Sequence, residues 1–351
     1  MTTDLQSVDV QPAPPVAAAQ LTALLRAAGV STLDGTGWIR ITGSDRVRWL
    51  NGMVTNSIAQ LAPGEGCYNF VLNAQGRIQG DLTAFLLEGS ILLETSRDQL
   101  PALIAHFNRF IIMDDVELTE ISDQRSGLSL AGPMAAALLH QIGLAGTSLA
   151  PMHLQTADWR GSSVVTLHAH SPLFPRFELW ADSTTIAALH AELIAAGAIQ
   201  VTPEALEQLR ILEGTPRYGI DIRDSATVHD LPQETGQTRA LHFTKGCYLG
   251  QEIVERIHSR GAVHRTFSGF VLTGPLPAPG TLLQAEGKPV AELTSVASIQ
   301  LGESSSTGAR TASAPAQLAL GIIRRDALDR KLTLTYPGGT AAPIALPYAI
   351  P

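Results

Sequence analysis

GCYNFVLNAQGRIQGDLTAFLLEGSILLET, Gly66–Thr95, is the stretch that decides how this chain is read. Its apolar runs are cut by Asn73-Ala74-Gln75-Gly76 and by Glu88-Gly89, so it predicts three successive strands joined by tight turns. Before it, GWIRITG (Gly37–Gly43) alternates as a strand, and SDRVRWLNGMVTNSI reads as a helix with Ser44 or Asp45 as its N-cap. After it, DQLPALIAHFNRFIIMDDVELTEIS reads as a helix followed by a strand. Strands in succession with few helices fit an α+β fold better than a parallel, doubly wound sheet.

The plan then recurs. GLSLAGPMAAALLHQIG (Gly127–Gly143) repeats the strand–Gly–helix order of IRITGSDRVRWLNGM, with Gly43 and Gly132 89 positions apart. This weak repetition suggests two related α/β units, although strand–Gly–helix joints are common enough to coincide. SVVTLHAH and RFELWAD continue as strands, and STTIAALHAELIAAG as a helix. TPEALEQLRILEGTPRYG is a further helix, started by Thr202 and Pro203. From Arg265 the chain reads as short strands with Gly/Pro turns, which predicts a small β-barrel. The expected organisation is a disordered leader (1–17), a first α+β unit (18–125), a second carrying KGCYLGQE (126–262), and a C-terminal barrel (263–351) with a mobile Ser/Thr/Ala-rich loop at 302–316.

Composition narrows the function. The 351 residues are 45% hydrophobic with a net charge of −8, which argues against a whole-chain nucleic-acid binder. Two cysteines make no disulfide framework and fit a reducing compartment. The N-terminus lacks the pattern of a signal or transit peptide, and no apolar run is long enough to span a membrane. A soluble, cytoplasmic protein is expected. Signatures of a Rossmann dinucleotide site, a P-loop, a zincin, a Cys-x-x-Cys pair and a hydrolase elbow are all absent.

The densest polar segment is TKGCYLGQE, Thr244–Glu252. Lys245 stands two residues before Cys247, and a helix starting near Gln251 would add positive potential; both favour a thiolate. Gly246 and Gly250 allow tight turns there. Between Lys245 and Arg265 lie four Lys/Arg and two Glu, a local surplus suited to an anionic ligand or to a solvated face. The other cysteine, Cys67 in GEGCYNF, has no flanking cation, so a core role is expected. Asp81, Glu178 and Arg210 cannot be singled out by composition, and the wet face of a strand is the default for such carboxylates.

KGCYLGQE resembles the signature of YgfZ-type folate-binding proteins, relatives of the glycine-cleavage T-protein (aminomethyltransferase). GWIRITGSDRVRWLNGMVTNSI, VLNAQGRIQGDL, GLSLAGPMAAALL, LRILEGTPRYGIDI, LPQETG and GAVHRTFSGFVL extend the likeness over about residues 20–350. The resemblance implies two ferredoxin-like α+β units and a small C-terminal β-barrel around a central folate-binding cleft. It implies tetrahydrofolate as ligand, with Asp81, Glu178 and Arg210 as its contacts. It also implies an accessory role in iron–sulfur cluster assembly or repair, serving client enzymes that include tRNA-modifying ones. Cys247 and Lys245 would be the working pair there, with no turnover of the ordinary kind and no direct contact with nucleic acid or membrane. Two alternatives stand beside this reading. One is a folate-dependent one-carbon transferase; the other is a metal- or cluster-binding protein using Cys67 and Cys247, which lie 180 residues apart.

Overall fold

The alternating segments become strands in a computed structural model that describes residues 15–144, 149–225, 230–261, 263–300 and 315–350. In chain order these are α1 (Pro15–Arg26), β1 (Gly29–Thr32), β2 (Thr36–Thr42), α2 (Arg46–Asn51), β3 (Gly66–Leu72), β4 (Ile78–Leu87), β5 (Ser90–Ser96), α3 (Leu100–Asn108), β6 (Glu117–Glu120), β7 (Ser126–Ala131) and α4 (Ala135–Gln141). Then come β8 (Leu154–Trp159), β9 (Ser162–Ala169), β10 (Arg176–Ala181), α5 (Ser183–Ala195), β11 (Ile199–Gln200), α6 (Pro203–Glu213), α7 (Gln251–Arg260), β12 (Arg265–Thr273), β13 (Leu282–Ala285), β14 (Lys288–Ile299), β15 (Ala316–Arg324), α8 (Arg325–Asp329), β16 (Leu334–Tyr336) and β17 (Gly339–Ile344). The expected leader and the 302–316 loop fall outside the described residues, except that Pro15–Ala17 open α1 and 315–316 lead into β15.

Contacts divide the chain into two compact units. The larger comprises Ala23–Val201 and Ile222–Val263. One of its sheets has the order β3-β4-β5-β2-β6, the other β11-β1-β7-β10-β9-β8. The two orders match strand for strand if β7–β11 stand for β2–β6, with β1 inserted between β7 and β11. The internal repeat is therefore topological, and each sheet is ferredoxin-like. β1, which precedes the first sheet in sequence, belongs to the second.

Strand periodicity sorts the side chains into layers. Ile39, Ile41, Ala84 and Leu93 bury one face of the first sheet against Trp49 and Leu50 of α2 and Leu103 and Phe107 of α3. Leu128, Leu130, Phe177 and Leu179 do the same in the second sheet against α4 and α5. The remaining faces meet: Trp38, Phe85 and Leu92 pack with Leu167, Ala169 and Trp180. The result is a helix–sheet–sheet–helix sandwich.

The smaller unit holds a closed barrel, β12-β15-β14-β13-β16-β17, filled by Phe270, Leu283, Leu293, Leu334 and Tyr336. It also includes Thr202–Asp221, which contains α6.

Helix α2 is shorter than SDRVRWLNGMVTNSI suggests. After Asn51 its side-chain Oδ1 accepts from Ile58 N (2.9 Å) and Ala59 N (3.3 Å), so the chain turns into a loop instead of continuing the helix. Gly43 and Gly132 occupy equivalent joints, at φ +101° and +126°. A Cβ would stand 2.0 Å from Asp115 O at Gly43 and 2.6 Å from Ala27 O at Gly132. Those carbonyls accept from the amides of Asp45 (3.2 Å) and Met134 (2.9 Å), two residues past each glycine. Gly43→Ala and Gly132→Ala should each lower stability by more than about 2 kcal/mol in urea unfolding, since strain and backbone collision add; a loss below about 0.5 kcal/mol would refute this account of the joints.

Candidate functional site

Asp81 sits on β4 between Gly80 and Leu82, on the face turned toward the second sheet. A Cβ at Gly80 would lie 2.9 Å from Gln99 Oε1 and 2.7 Å from Leu103, so glycine lets Gln99 approach. Gln99 then holds Asp81 twice: its Oε1 accepts from Asp81 N (3.0 Å) and its Nε2 donates to Oδ1 (2.7 Å). The Tyr68 hydroxyl donates to Oδ2 at 2.6 Å. The Arg239 guanidinium lies 4.0 Å from the centre of the Tyr68 ring, a cation–π contact. Burial pushes the Asp81 carboxyl above the usual carboxylate range, against the bonds from Tyr68 and Gln99 and the charge of Arg239. Burial also raises Tyr68 well above its ordinary range, with Asp81 adding to the effect.

Glu178, on β10, faces the same layer and is 1% exposed. Its carboxylate accepts from Arg176 and from Trp180 Nε1 (3.1 Å), and Glu94 of β5 acts on it electrostatically. Burial works to raise Glu178, but the Arg176 charge, the influence of Glu94 and the bonds from Arg176 and Trp180 leave it below the ordinary glutamate range. Glu94 is pushed well above that range by burial and by the charge of Glu178. The Asp81 and Glu178 clusters are linked electrostatically, because Arg239 and Arg176 act on each other. His170 feels both arginines, and burial together with their charges takes it down to about 4. Two of the three carboxylates and arginines expected from the resemblance thus share one layer.

Arg210 belongs to the smaller unit. Its five bonds go to Glu207 (2.9 and 2.7 Å), Thr215 O (2.6 Å), Asp221 (2.6 Å) and Ser295 Oγ (2.6 Å). Asp221, 0% exposed, also accepts from Arg217 N and from the hydroxyls of Thr294 and Ser295. This is a fully partnered buried ion pair that fastens α6 to β14. All five guanidinium donors of Arg210 are matched within its unit.

The KGCYLGQE segment is stitched to the loop after α2. Leu249 N donates to Gly52 O (3.0 Å), His242 N to Thr55 O (3.2 Å) and Thr55 Oγ1 to Ala240 O (2.6 Å). Asn56 Nδ2 reaches Arg239 O at 2.8 Å, which positions the guanidinium over Tyr68. Lys245 Nζ donates to Val54 O (2.6 Å) and Asn56 O (2.5 Å) and lies 5.0 Å from the Tyr248 ring centre. Burial brings this amine down to about 7, opposed by Cys67. Cys67, half-buried, is pushed up to about 11 by burial, opposed by the Asn69 amide (3.3 Å) and by Lys245. Cys67 packs on the helix-side core, as expected, but the cation absent from its sequence neighbourhood is supplied by the fold. Cys247 is exposed. Among the described residues no group of three or more His, Cys, Asp or Glu is placed to hold a metal, so the two-cysteine metal reading finds no donor set there.

Sequence reasoning missed Tyr68, Gln99, Arg239, Glu94 and Arg176. Arg176 was within reach, because residues two apart on a strand share a face and Glu178 follows it by two. Tyr68 lies in the repeated Gly-Cys-Tyr tripeptide, where the cysteine drew attention. Gln99, Glu94 and Arg239 carry no local signal.

A thiol reagent at pH 7.5 should modify one cysteine of the native protein quickly, and Cys247→Ala should abolish that phase. Lys245→Met should leave its rate within about twofold, because the amine is engaged at Val54 and Asn56. A large fall in rate in Lys245→Met would show instead that the lysine acts on Cys247.

The family of the GCVT N-terminal domain matches residues 9–245. A putative chloroplastic transferase of Arabidopsis thaliana is 26% identical over 308 residues, 87% of this chain and 67% of that protein. An aminomethyltransferase of Frankia alni is 26% identical over 279 residues, 77% of this chain and 74% of that one. The crystal structure of the glycine cleavage system aminomethyltransferase T from Bartonella henselae superposes with a TM-score of 0.78 over 95% of this chain and 89% of that one, at 20% identity, a likeness of fold. The sheet pair, the closed barrel and the match over residues 9–245 agree, and the chain belongs to the GCVT N-terminal domain family.

Proposed function

We propose that this protein binds tetrahydrofolate in the polar layer between its two sheets and serves, as YgfZ-type proteins do, as an accessory factor for iron–sulfur cluster assembly or repair. The observation that carries the folate part is the Asp81 carboxyl, held by Tyr68 and Gln99 beside the Arg239 guanidinium. The donor set fits such a ligand. Carboxyl groups can engage the amide-like edge of a pterin, and guanidinium groups can meet its carboxylate tail. Asp81 and Glu178 would take the ring edge, Tyr68 with Arg239 would offer a flat face, and Arg210 keeps its task in the smaller unit. Bound tetrahydrofolate would supply a carrier for a one-carbon unit.

The accessory role is supported by the exposed Cys247 in KGCYLGQE, which stands apart from the Asp81 bonds and is free to meet a partner. Lys245 then acts as the brace of that segment rather than as the activator of the thiol. The partners are iron–sulfur client enzymes, and the setting is cytoplasmic; among the described residues no helix is long and apolar enough to cross a membrane. A second reading, a folate-dependent one-carbon transferase, is favoured by the aminomethyltransferase relatives and by the raised, half-buried acid at Asp81.

Calorimetric titration should show tetrahydrofolate binding to the wild type and at least about tenfold weaker binding to Asp81→Ala, the cost of a lost charged hydrogen bond. A wild type that does not bind removes the folate reading. In the native host, Cys247→Ala at normal abundance should lower the activity of cluster-dependent enzymes; unchanged activity removes the role of the cysteine. Turnover of an aminomethyl donor with tetrahydrofolate would establish the second reading in place of the first.

A further inference from the structure

Antiparallel register sets Tyr68, Thr83, Glu94 and Trp38 in one row across β3, β4, β5 and β2. Trp38 belongs to the inter-sheet core, so the whole row points at the second sheet. Facing it from β10, Trp180 meets Trp38 with ring centres 5.9 Å apart, and Glu178, two residues before Trp180 on the same strand, shares its face. Glu94 is thereby brought against a carboxylate that already has two donors, Arg176 and Trp180 Nε1.

Two carboxyl groups that act on each other across a largely water-excluded layer disfavour each other's charge. Arg176 and the Trp180 N–H favour the charge on Glu178, so the proton of the pair resides on Glu94, which then has an O–H to give. The other charges around the pair agree. Arg176 acts on both acids, and Arg125 acts on Glu94 and is itself opposed by Arg40. His170 and Arg239 lie behind Arg176. The directions found for the two acids, one raised and one lowered, are those of such a pair.

We propose that Glu94 is a positioning residue: its carboxyl donates a hydrogen bond to the Glu178 carboxylate, one proton serves both acids, and Glu178 is thereby fixed against Arg176 for ligand binding. The inference rests on the reading of this layer as the tetrahydrofolate site. Glutamine at 94 keeps a donor without a titratable proton, whereas leucine keeps bulk and removes the donor.

The test uses the full-length protein in two measurements. In calorimetry with tetrahydrofolate at pH 6.5 and 8.5, Glu94→Leu should bind roughly tenfold or more weakly, and Glu94→Gln should recover most of that loss at both pH values. A Leu variant that folds and binds like the wild type, or a Gln variant as weak as Leu, overturns the proposal. In pH-difference infrared spectroscopy without ligand, a carboxyl band beyond that of the raised Asp81 should titrate well above the ordinary glutamate range, and that band should vanish in Glu94→Gln while the Asp81 component stays. Absence of that band overturns the shared proton whether or not folate binds. A wild type that shows the band but does not bind tetrahydrofolate overturns the folate reading while the acid pair stands. Should Glu94→Leu fail to fold, the infrared comparison with Glu94→Gln still decides.

Discussion

Trp180 packs edge-on against Trp38 at 5.9 Å and against Phe85 at 5.7 Å, and these contacts hold the two sheets of the larger unit face to face. Such pairs contribute about 0.5–1.5 kcal/mol each beyond the area they bury. Their consequence is wider than their energy. Once the sheets are closed on each other, a charged group on the inner faces is costly unless it finds a partner there. Asp81, Glu94, Glu178, Arg176 and Arg239 are therefore tied into one layer, with raised and lowered acids side by side. The chemistry proposed for this protein is a product of that closure.

The sandwich is built from one plan used twice. Each half runs strand, left-handed glycine, helix, three strands, helix, strand, and the sheet orders coincide except for the inserted β1. At each joint the glycine admits a neighbouring carbonyl that also accepts from the amide two residues on. A side chain there would meet backbone, which cannot give way as a flexible side chain can. The repeat is thus enforced by sterics at Gly43 and Gly132, while the residues on the inner faces are free to differ. That freedom lets one sheet supply Asp81 and Glu94 and the other Glu178 and Arg176.

The segment after residue 238 couples to this layer through backbone. Arg239 reaches Tyr68 because its own carbonyl is held by Asn56, and Lys245 anchors the following turn to Val54 and Asn56. The two cysteines differ in exposure, Cys67 half-buried and Cys247 exposed. Lys245 is two residues from Cys247 in the chain, yet it bears electrostatically on Cys67, and Cys247 is left exposed. Adjacency in sequence paired the lysine with Cys247, whereas the fold also brings its amine within electrostatic reach of Cys67.

What the sequence by itself determined is local: strands from alternation, turns from Asn73–Gly76 and Glu88-Gly89, the two glycine joints, the barrel, and, through its motifs, kinship with the wider aminomethyltransferase-like family. Period and turn chemistry act over a few residues, so they are legible without a structure. Only the tertiary structure decided which carboxylates are buried, which arginine faces Asp81, that β1 crosses to the second sheet, and that Arg210 serves α6 and the barrel. Those outcomes depend on which face of which sheet each side chain occupies, and on contacts such as Lys245 to Val54, 191 positions apart. No local pattern encodes a contact of that range, because its energy exists only once both sheets and the loops between them are in place.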